Sequence, residues 1–268
     1  IWAFLHTPAL VLTGIALFLL ALMAFFYILK AVRYPEEIKK EFFHPVKMNF
    51  FPLWAKIFLI HSVIFLGISR EASFVFWLLG AGIQTLFIFV ILSLWIRHTR
   101  FEIHHMNPAW FMPVVGAMMI PITGMEHAPK EISWFFFAVG VFLWLSLFTI
   151  VLYRMIFHAP LPEKLLPTLF ILFAPPAIGF IAYFKLTGGV SDAGTLLYFF
   201  ALFLLALVLF QVGLFAKIPF FLSWWAYSFP LAAVSVASTL MYRLTQNGFF
   251  LVAASALAGL LVLVILFL

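Results

Sequence analysis

Long apolar runs alternate with short polar clusters along the whole chain, and the runs have membrane-crossing length. Nine of them are predicted to be helices, at 9–32, 50–67, 74–97, 110–124, 132–157, 165–184, 192–213, 220–243 and 248–268. They are continuous rather than alternating in polarity, which argues against a β-barrel. Short connections make neighbouring spans antiparallel hairpins. The pattern predicts an all-α integral membrane protein forming one domain over residues 1–268, because no stretch is polar enough to fold separately in water.

The spans differ in kind. The first, third, fifth, seventh and ninth are plain and free of internal proline, whereas the four between them carry prolines and more small or polar residues. The spacing from Pro113 to Pro121 recurs from Pro167 to Pro175, offset by 54 residues, and Pro230 lies 55 residues beyond Pro175. Pro52 precedes Pro113 by 61. A repeating hairpin of about 55–60 residues follows. Plain helices satisfy their own backbone groups and can face lipid; broken ones need neighbours or water for the freed carbonyls. An outer ring of plain helices around an inner ring of kinked ones, enclosing a central pore, is the expected architecture. The first span has no kinked partner before it and the chain begins with Ile, so a first helix of ten is expected upstream of residue 1.

Composition narrows the class. Charged residues make up 9% of the chain and the mean hydropathy is +1.20, against about 25% charged in soluble domains. The absence of cysteine excludes disulfides, thiolate metal sites and a cysteine nucleophile. Net charge is +6, but the basic residues are scattered at span ends rather than gathered on one face, which speaks against nucleic acid. One side carries Lys30, Arg33, Lys39, Lys40, Lys47, Arg97, Arg100, Arg154, Lys164 and Lys217, and the other Arg70, Lys130, Lys185 and Arg243. The positive-inside rule makes the first side cytoplasmic and puts the C-terminus there too.

Four motifs in order, HPVKMNFFP at 44–52, FEIHHMNPAWFMPVVG at 101–116, LPEKLLPTLFILFAPPAIGF at 161–180 and SWWAYSFP at 223–230, resemble the tellurite-resistance/dicarboxylate transporter family. That family includes bacterial tellurite-resistance protein A homologues and relatives of the plant slow anion channels. The resemblance covers the whole chain. It implies ten helices in five hairpins around a quasi-fivefold pore, often as an inner-membrane homotrimer, moving anions without a cofactor. It also implies a pore plugged by a phenylalanine of the ninth family helix, a position that matches Phe229. Lys56 stands where relatives are expected to carry a neutral residue.

Helical spacing puts Ser228, Ala232, Ser235 and Thr239 on one small, weakly polar stripe beside Phe229. A hydrophobic gate closed by the ring is one reading; ordinary packing of a large ring against small residues is the other. The repeat aligns Ile120 and Ala174 with Phe229, each preceding a proline, as further candidates for the constriction. Lys56 lies about 10 Å into its span, as a site of anion attraction or as a snorkelling side chain. His61 is inside a span, where a packing role or proton coupling applies. His98, Glu102, His104 and His105 raise the question of metal, but their spacing lacks the paired-histidine helix face of a zinc motif, and an interfacial polar loop is preferred. All nine carboxylates fall in loops or at span ends, which argues against cation transport and proton pumping. Three readings follow. The first is passive transport of small inorganic or organic anions. The second is a proton-coupled carrier for C4-dicarboxylates or sulfite- or tellurite-type oxyanions. The third is a membrane metalloenzyme built on the histidine loop.

Overall fold

A computed structural model describes residues 2–97, 101–189 and 191–268. The long helices are α1 (Trp2–Arg33), α3 (Leu53–Phe65), α4 (Arg70–Arg97), α5 (Met112–His127), α6 (Lys130–Phe157), α7 (Ala174–Thr187), α8 (Asp192–Phe210), α10 (Ser228–Thr245) and α11 (Gly248–Phe267). Two short helices, α2 (Pro35–Phe42) and α9 (Val212–Phe215), complete the α set. The described residues contain no strand. Eight segments are long and apolar enough to cross a membrane. The segment at 220–243 is not among them, since its Ser, Thr, Trp and Tyr residues dilute its apolar content. It is nevertheless helical and packs into the bundle as a full hairpin arm.

Four helices enter through 3₁₀ turns. Lys47–Phe50 precedes α3, Pro108–Phe111 precedes α5, Glu163–Phe173 precedes α7 and Leu222–Tyr227 precedes α10. Of the prolines expected to kink these helices, Pro121 alone therefore lies in the middle of an α-helix. Pro113 and Pro175 sit in the first turn of α5 and α7, Pro230 is the third residue of α10, and Pro52 is the N-cap of α3. In a first turn the missing N–H has no intrahelical acceptor to lose, so proline costs little there. Pro121, inside α5, and Pro167, inside the 3₁₀ stretch before α7, are the two interior prolines of these segments.

Packing follows the alternation. Helix α3 packs on α5, α5 on α7 and α7 on α10, forming an inner series. Each outer helix spans two inner neighbours: α4 touches α3 and α5, α6 touches α5 and α7, and α8 touches α7 and α10, while α11 backs α10. Among the described residues, packing between α10 and α3 does not close the series, which is an open arc. In the spans containing α5 and α7, 89% of the apolar window is buried, against 22% in α6 and 17% in α11.

The outer helices contact the core along one narrow seam each. In α6 the buried residues are Ser133, Phe137, Gly140, Trp144, Leu147, Val151 and Arg154, alternately four and three apart. In α4 they include Ser73, Trp77, Gly80, Ala81, Gln84, Ile88 and Ile91. This spacing is that of left-handed helix pairs. Small residues let the backbones approach: a Cβ on Gly140 would come within 2.4 Å of Met118 Cγ, and one on Gly80 within 2.8 Å of Leu59 Cγ.

Candidate functional site

The inner helices gather whatever chemistry this bundle has. Helix α5 is buried from Pro113 to Gly124 without interruption. Two side chains of α4 reach its carbonyls: Trp77 Nε1–H donates to Ile120 O at 3.0 Å, and the Gln84 amide donates to Pro113 O. Donors and acceptors are each seven residues apart, so one face of α4 clamps one face of α5 at two levels. Gln84 lies against Gly116, where a Cβ would collide with its amide oxygen. Farther along, Ser62, Ser73 and Thr123 tie α3, α4 and α5 together. Ser73 Oγ–H donates to Ser62 O, so His127 Nε2, 2.8 Å from Ser73 Oγ, is the donor in that contact.

The 3₁₀ to α junctions change the register between repeats. Counted from them, Phe51, Met112, Ala174 and Phe229 are the residues preceding the proline. Ile120 lies eight positions deeper in α5, fully buried, and does not share that place. Ala174, also buried, opens α7. Phe229 is then not alone in being aromatic. Phe51, however, packs on the rings of Tyr27, Phe42 and Phe87, towards the outer elements. Phe229 is half-buried against the core and makes no ring–ring contact among the described residues.

The stripe proposed on α10 divides. Ser235 is buried and its hydroxyl faces Ala254 O of α11 at 3.4 Å, so it belongs to the hairpin seam. Ser228 Oγ–H donates back to Trp225 O at 2.8 Å. Val236 and Thr239 are exposed, and Phe229 and Ala232 are partly exposed. These four share one side of α10 by helical spacing.

Lys56 is 3% exposed and occupies the first turns of α3. It has no hydrogen bond or carboxylate partner among the described residues. Its side of α3 also carries Ile60 and Val63, which are 38% and 46% exposed. Ser62 and Leu59, by contrast, turn towards α4 and α5. Lys56 adjoins that exposed strip by helical spacing but is itself covered. His61 does not join it. Its Nδ1–H donates to Ile57 O at 2.8 Å, its ring lies 5.4 Å from that of Phe76 of α4, and its Nε2 has no partner.

The 3₁₀ segments pack on one another in chain order and bring their preceding loops to one end of the bundle. There His44 Nδ1 accepts from the N–H groups of Val46 and Lys47, and His105 Nδ1 accepts from Glu102 N–H. Burial, with the nearby positive charges, pushes both imidazoles below the ordinary histidine range. Each is therefore a neutral ring with its proton on Nε2. His104 lies 3.2 Å from Glu102, and His98 lies outside the described residues. The loop is held by Asn107, which caps the 3₁₀ turn through Ala109 N–H, and by Trp110, which donates to His105 O.

Arg154 and Asn49 were not singled out from the sequence. Arg154 is 3% exposed and donates from Nη1 to Ala159 O at 2.6 Å, closing the end of α6. Asn49 is fully buried, donates to Pro45 O and leaves Oδ1 unpartnered. A polar residue flanked by apolar ones was the available signal in each case. Together with Lys56, these residues reveal an asymmetry: among the described residues the buried charged side chains are Lys56 and Arg154, both basic, and no carboxylate is buried.

The chain matches the SLAC1 family model, described as voltage-dependent anion channel, over residues 1–268, and it belongs to that family of multi-pass membrane proteins. It is 29% identical to an uncharacterized transporter of Methanocaldococcus jannaschii over 86% of this chain and 74% of that protein. It is 32% identical to the S-type anion channel SLAH2 of Arabidopsis thaliana over 88% of this chain and 46% of the plant protein. To the guard cell S-type anion channel SLAC1 of the same plant it is 29% identical, over 92% and 46%. The chain spans less than half the length of these two plant channels.

Proposed function

We propose that the protein passes small anions down their electrochemical gradient along the inner face of α3, α5, α7 and α10, with Phe229 as the gate. The observation that carries this reading is the sign of the buried charge on the inner helices, which is basic at Lys56 of α3, with no buried carboxylate among the described residues. A cation path would be lined by carboxylates or carbonyl rings; a path bordered by basic groups and by the N-terminal ends of helices favours anions. The relatives named as anion channels support the same class. Phe229 is favoured over Phe51 because its ring is not committed to an aromatic cluster. The native state in this proposal is a homotrimer in the inner membrane, with the C-terminus in the cytoplasm by the positive-inside rule.

The test is current recording in planar bilayers with chloride, nitrate, sulfite and malate exchanged in turn, on wild type and Phe229→Ala. Phe229→Ala is expected to raise anion current at least several-fold. Unchanged current in a folded variant overturns the gate assignment. Saturating, voltage-insensitive uptake driven by a pH gradient in proteoliposomes would instead identify a coupled carrier.

A further inference from the structure

The outer face of α4 carries a groove that the proposed pathway does not use. It encloses about 330 Å³ and is lined by Phe89, Val90, Ser93, Leu94 and Arg97. These residues share one face of the last turns of α4. The face points away from the bundle. Ile88 and Ile91 are buried in the seam, and Trp95 stacks on Trp110 of the 3₁₀ turn before α5, with ring centroids 4.8 Å apart. Ser93 and Arg97 are each two residues from Trp95, and so lie on the opposite side of the helix. Phe89, 64% exposed, confirms the outward direction. Two polar groups of the groove have no partner. Arg97 makes no ion pair or hydrogen bond among the described residues, unlike Lys30, which is paired with Glu41, and Arg154, which donates to Ala159 O. Ser93 likewise donates to nothing among the described residues. Thr85 of the same helix, and Ser146 and Thr149 of α6, each return the hydroxyl to the carbonyl four residues back. A hydroxyl facing hydrocarbon with no acceptor is unfavourable.

We propose that this groove holds one anionic glycerophospholipid. Its phosphodiester lies on the Arg97 guanidinium, an ester carbonyl accepts from the Ser93 hydroxyl, and an acyl chain runs along Phe89, Val90 and Leu94. The order of chemistries along the helix carries the assignment. Arg97 is rooted about 6 Å beyond Ser93 and about 12 Å beyond Phe89 at 1.5 Å per residue. Charge, hydroxyl and hydrocarbon therefore follow one another as phosphate, ester and acyl chain do in such a lipid. A guanidinium suits the phosphate because its planar fork of N–H groups meets two oxygens at once. A free phosphate would satisfy Arg97 and leave the apolar walls bare. The uncompensated positive charge selects an anionic headgroup over a zwitterionic one. The site is independent of conduction, since it lies on the side of α4 turned away from α5.

The test is native mass spectrometry of the full chain in detergent, titrated with phosphatidylglycerol or with phosphatidylcholine of the same acyl chains. Wild type is compared with Arg97→Gln, Ser93→Ala and Lys217→Gln, the last an exposed basic residue outside the groove. Arg97→Gln is expected to bind the first phosphatidylglycerol about tenfold more weakly, the scale of one charge-assisted hydrogen bond. Ser93→Ala is expected to bind it about threefold more weakly. Lys217→Gln should match wild type, and phosphatidylcholine should bind all four alike. Equal losses in Arg97→Gln and Lys217→Gln would reduce the effect to general surface charge and overturn the proposal. Displacement of the lipid from wild type by inorganic phosphate alone would assign the site to a free anion and overturn it too. So would dissociation of an oligomer in Arg97→Gln with unchanged lipid affinity, which would give the groove to a second copy of the chain. If Arg97→Gln does not fold, wild type is crystallised with phosphatidylglycerol brominated on its acyl chains. A bromine signal beside Phe89 and Leu94 supports the site, and its absence there overturns it.

Discussion

Helix α5, with its 3₁₀ turn, and helix α6 form one hairpin and are both long and apolar enough to cross a membrane, yet they meet the rest of the molecule in opposite ways. Helix α5 is buried on every side from Pro113 to Gly124, whereas α6 buries only one seam and exposes Phe135, Phe142, Ile156 and Phe157. In a soluble protein such a difference shows as polarity, because the outward face must meet water. Here lipid takes water's place, and both faces of α6 are apolar. The seam is marked by size instead: serine, glycine and the occasional polar hydrogen-bonding group. In this bundle, therefore, small residues report where helices touch, and proline reports which helices are inside.

That contrast can be broken most sharply at Gly140. A side chain there meets Met118 Cγ and, at 2.9 Å, the Met118 backbone nitrogen, which cannot rotate away. Gly140→Leu is expected to destabilise by about 3 kcal/mol or more, by overpacking, read as a lowered midpoint in denaturant unfolding in mixed micelles. A wild-type midpoint would mean that α6 does not lie on α5. Next comes Gln84→Leu, which removes the amide clamp on Pro113 O and is expected to cost about 1–2 kcal/mol. Smaller again is Tyr198→Phe, which deletes the 3.0 Å contact with Ser238 between α8 and α10 and should cost about 0.6 kcal/mol, the scale of hydrogen bonds between membrane helices. The smallest effect is expected at Gly82→Ala on the lipid side of α4, where an added Cβ meets nothing within 4 Å. It should be neutral or slightly stabilising through helix propensity, and a loss comparable to that of Gly140→Leu would erase the distinction between seam and lipid face.

Much of the architecture could be read before any coordinates. Counting the 3₁₀ entries, most span limits fell within a few residues of the helices, because runs such as 132–157 end at charged or proline-containing clusters, while the first helix begins seven residues before its expected start. The inner and outer roles followed from proline alone. The register between repeats did not. Matching Pro121 to Pro175 relied on equal spacing, but the 3₁₀ entry is four residues long before α5 and eleven before α7. Equal sequence offsets therefore do not bring equal places in space, and Pro113 takes the first-turn position. The amphipathic α2, with Glu36 and Glu37 in its first turn and Lys39 and Lys40 in its last, was also missed. Eight residues between two strong spans offer too short a pattern to separate from a loop. At the candidate site, Lys56 was legible because a lysine in an apolar span stands out. That Ser235 turns to α11 was not, since a hundred-degree step cannot say which neighbour a face will meet.

The two α4 side chains that hold α5 also limit how the assembly can deform. To straighten, α5 would have to release the indole at Ile120 O and the amide at Pro113 O in a region where neither group finds water as a replacement. Among the described residues, no side chain from α8 or α11 grips α10 in this way at its 3₁₀ junction. The ties are therefore unlike in kind: α5 is clamped at two of its carbonyls, whereas the 3₁₀ entry of α10 is held by Ser223, which donates to Lys164 O, and by ring contacts of Trp224 with Phe267 and of Tyr227 with Phe170. Flipping a ring on α10 takes picoseconds to nanoseconds where it is free to turn, whereas re-registering clamped helices takes microseconds or longer. In the proposed gating, a ring movement at Phe229 can be fast without any backbone movement in α5.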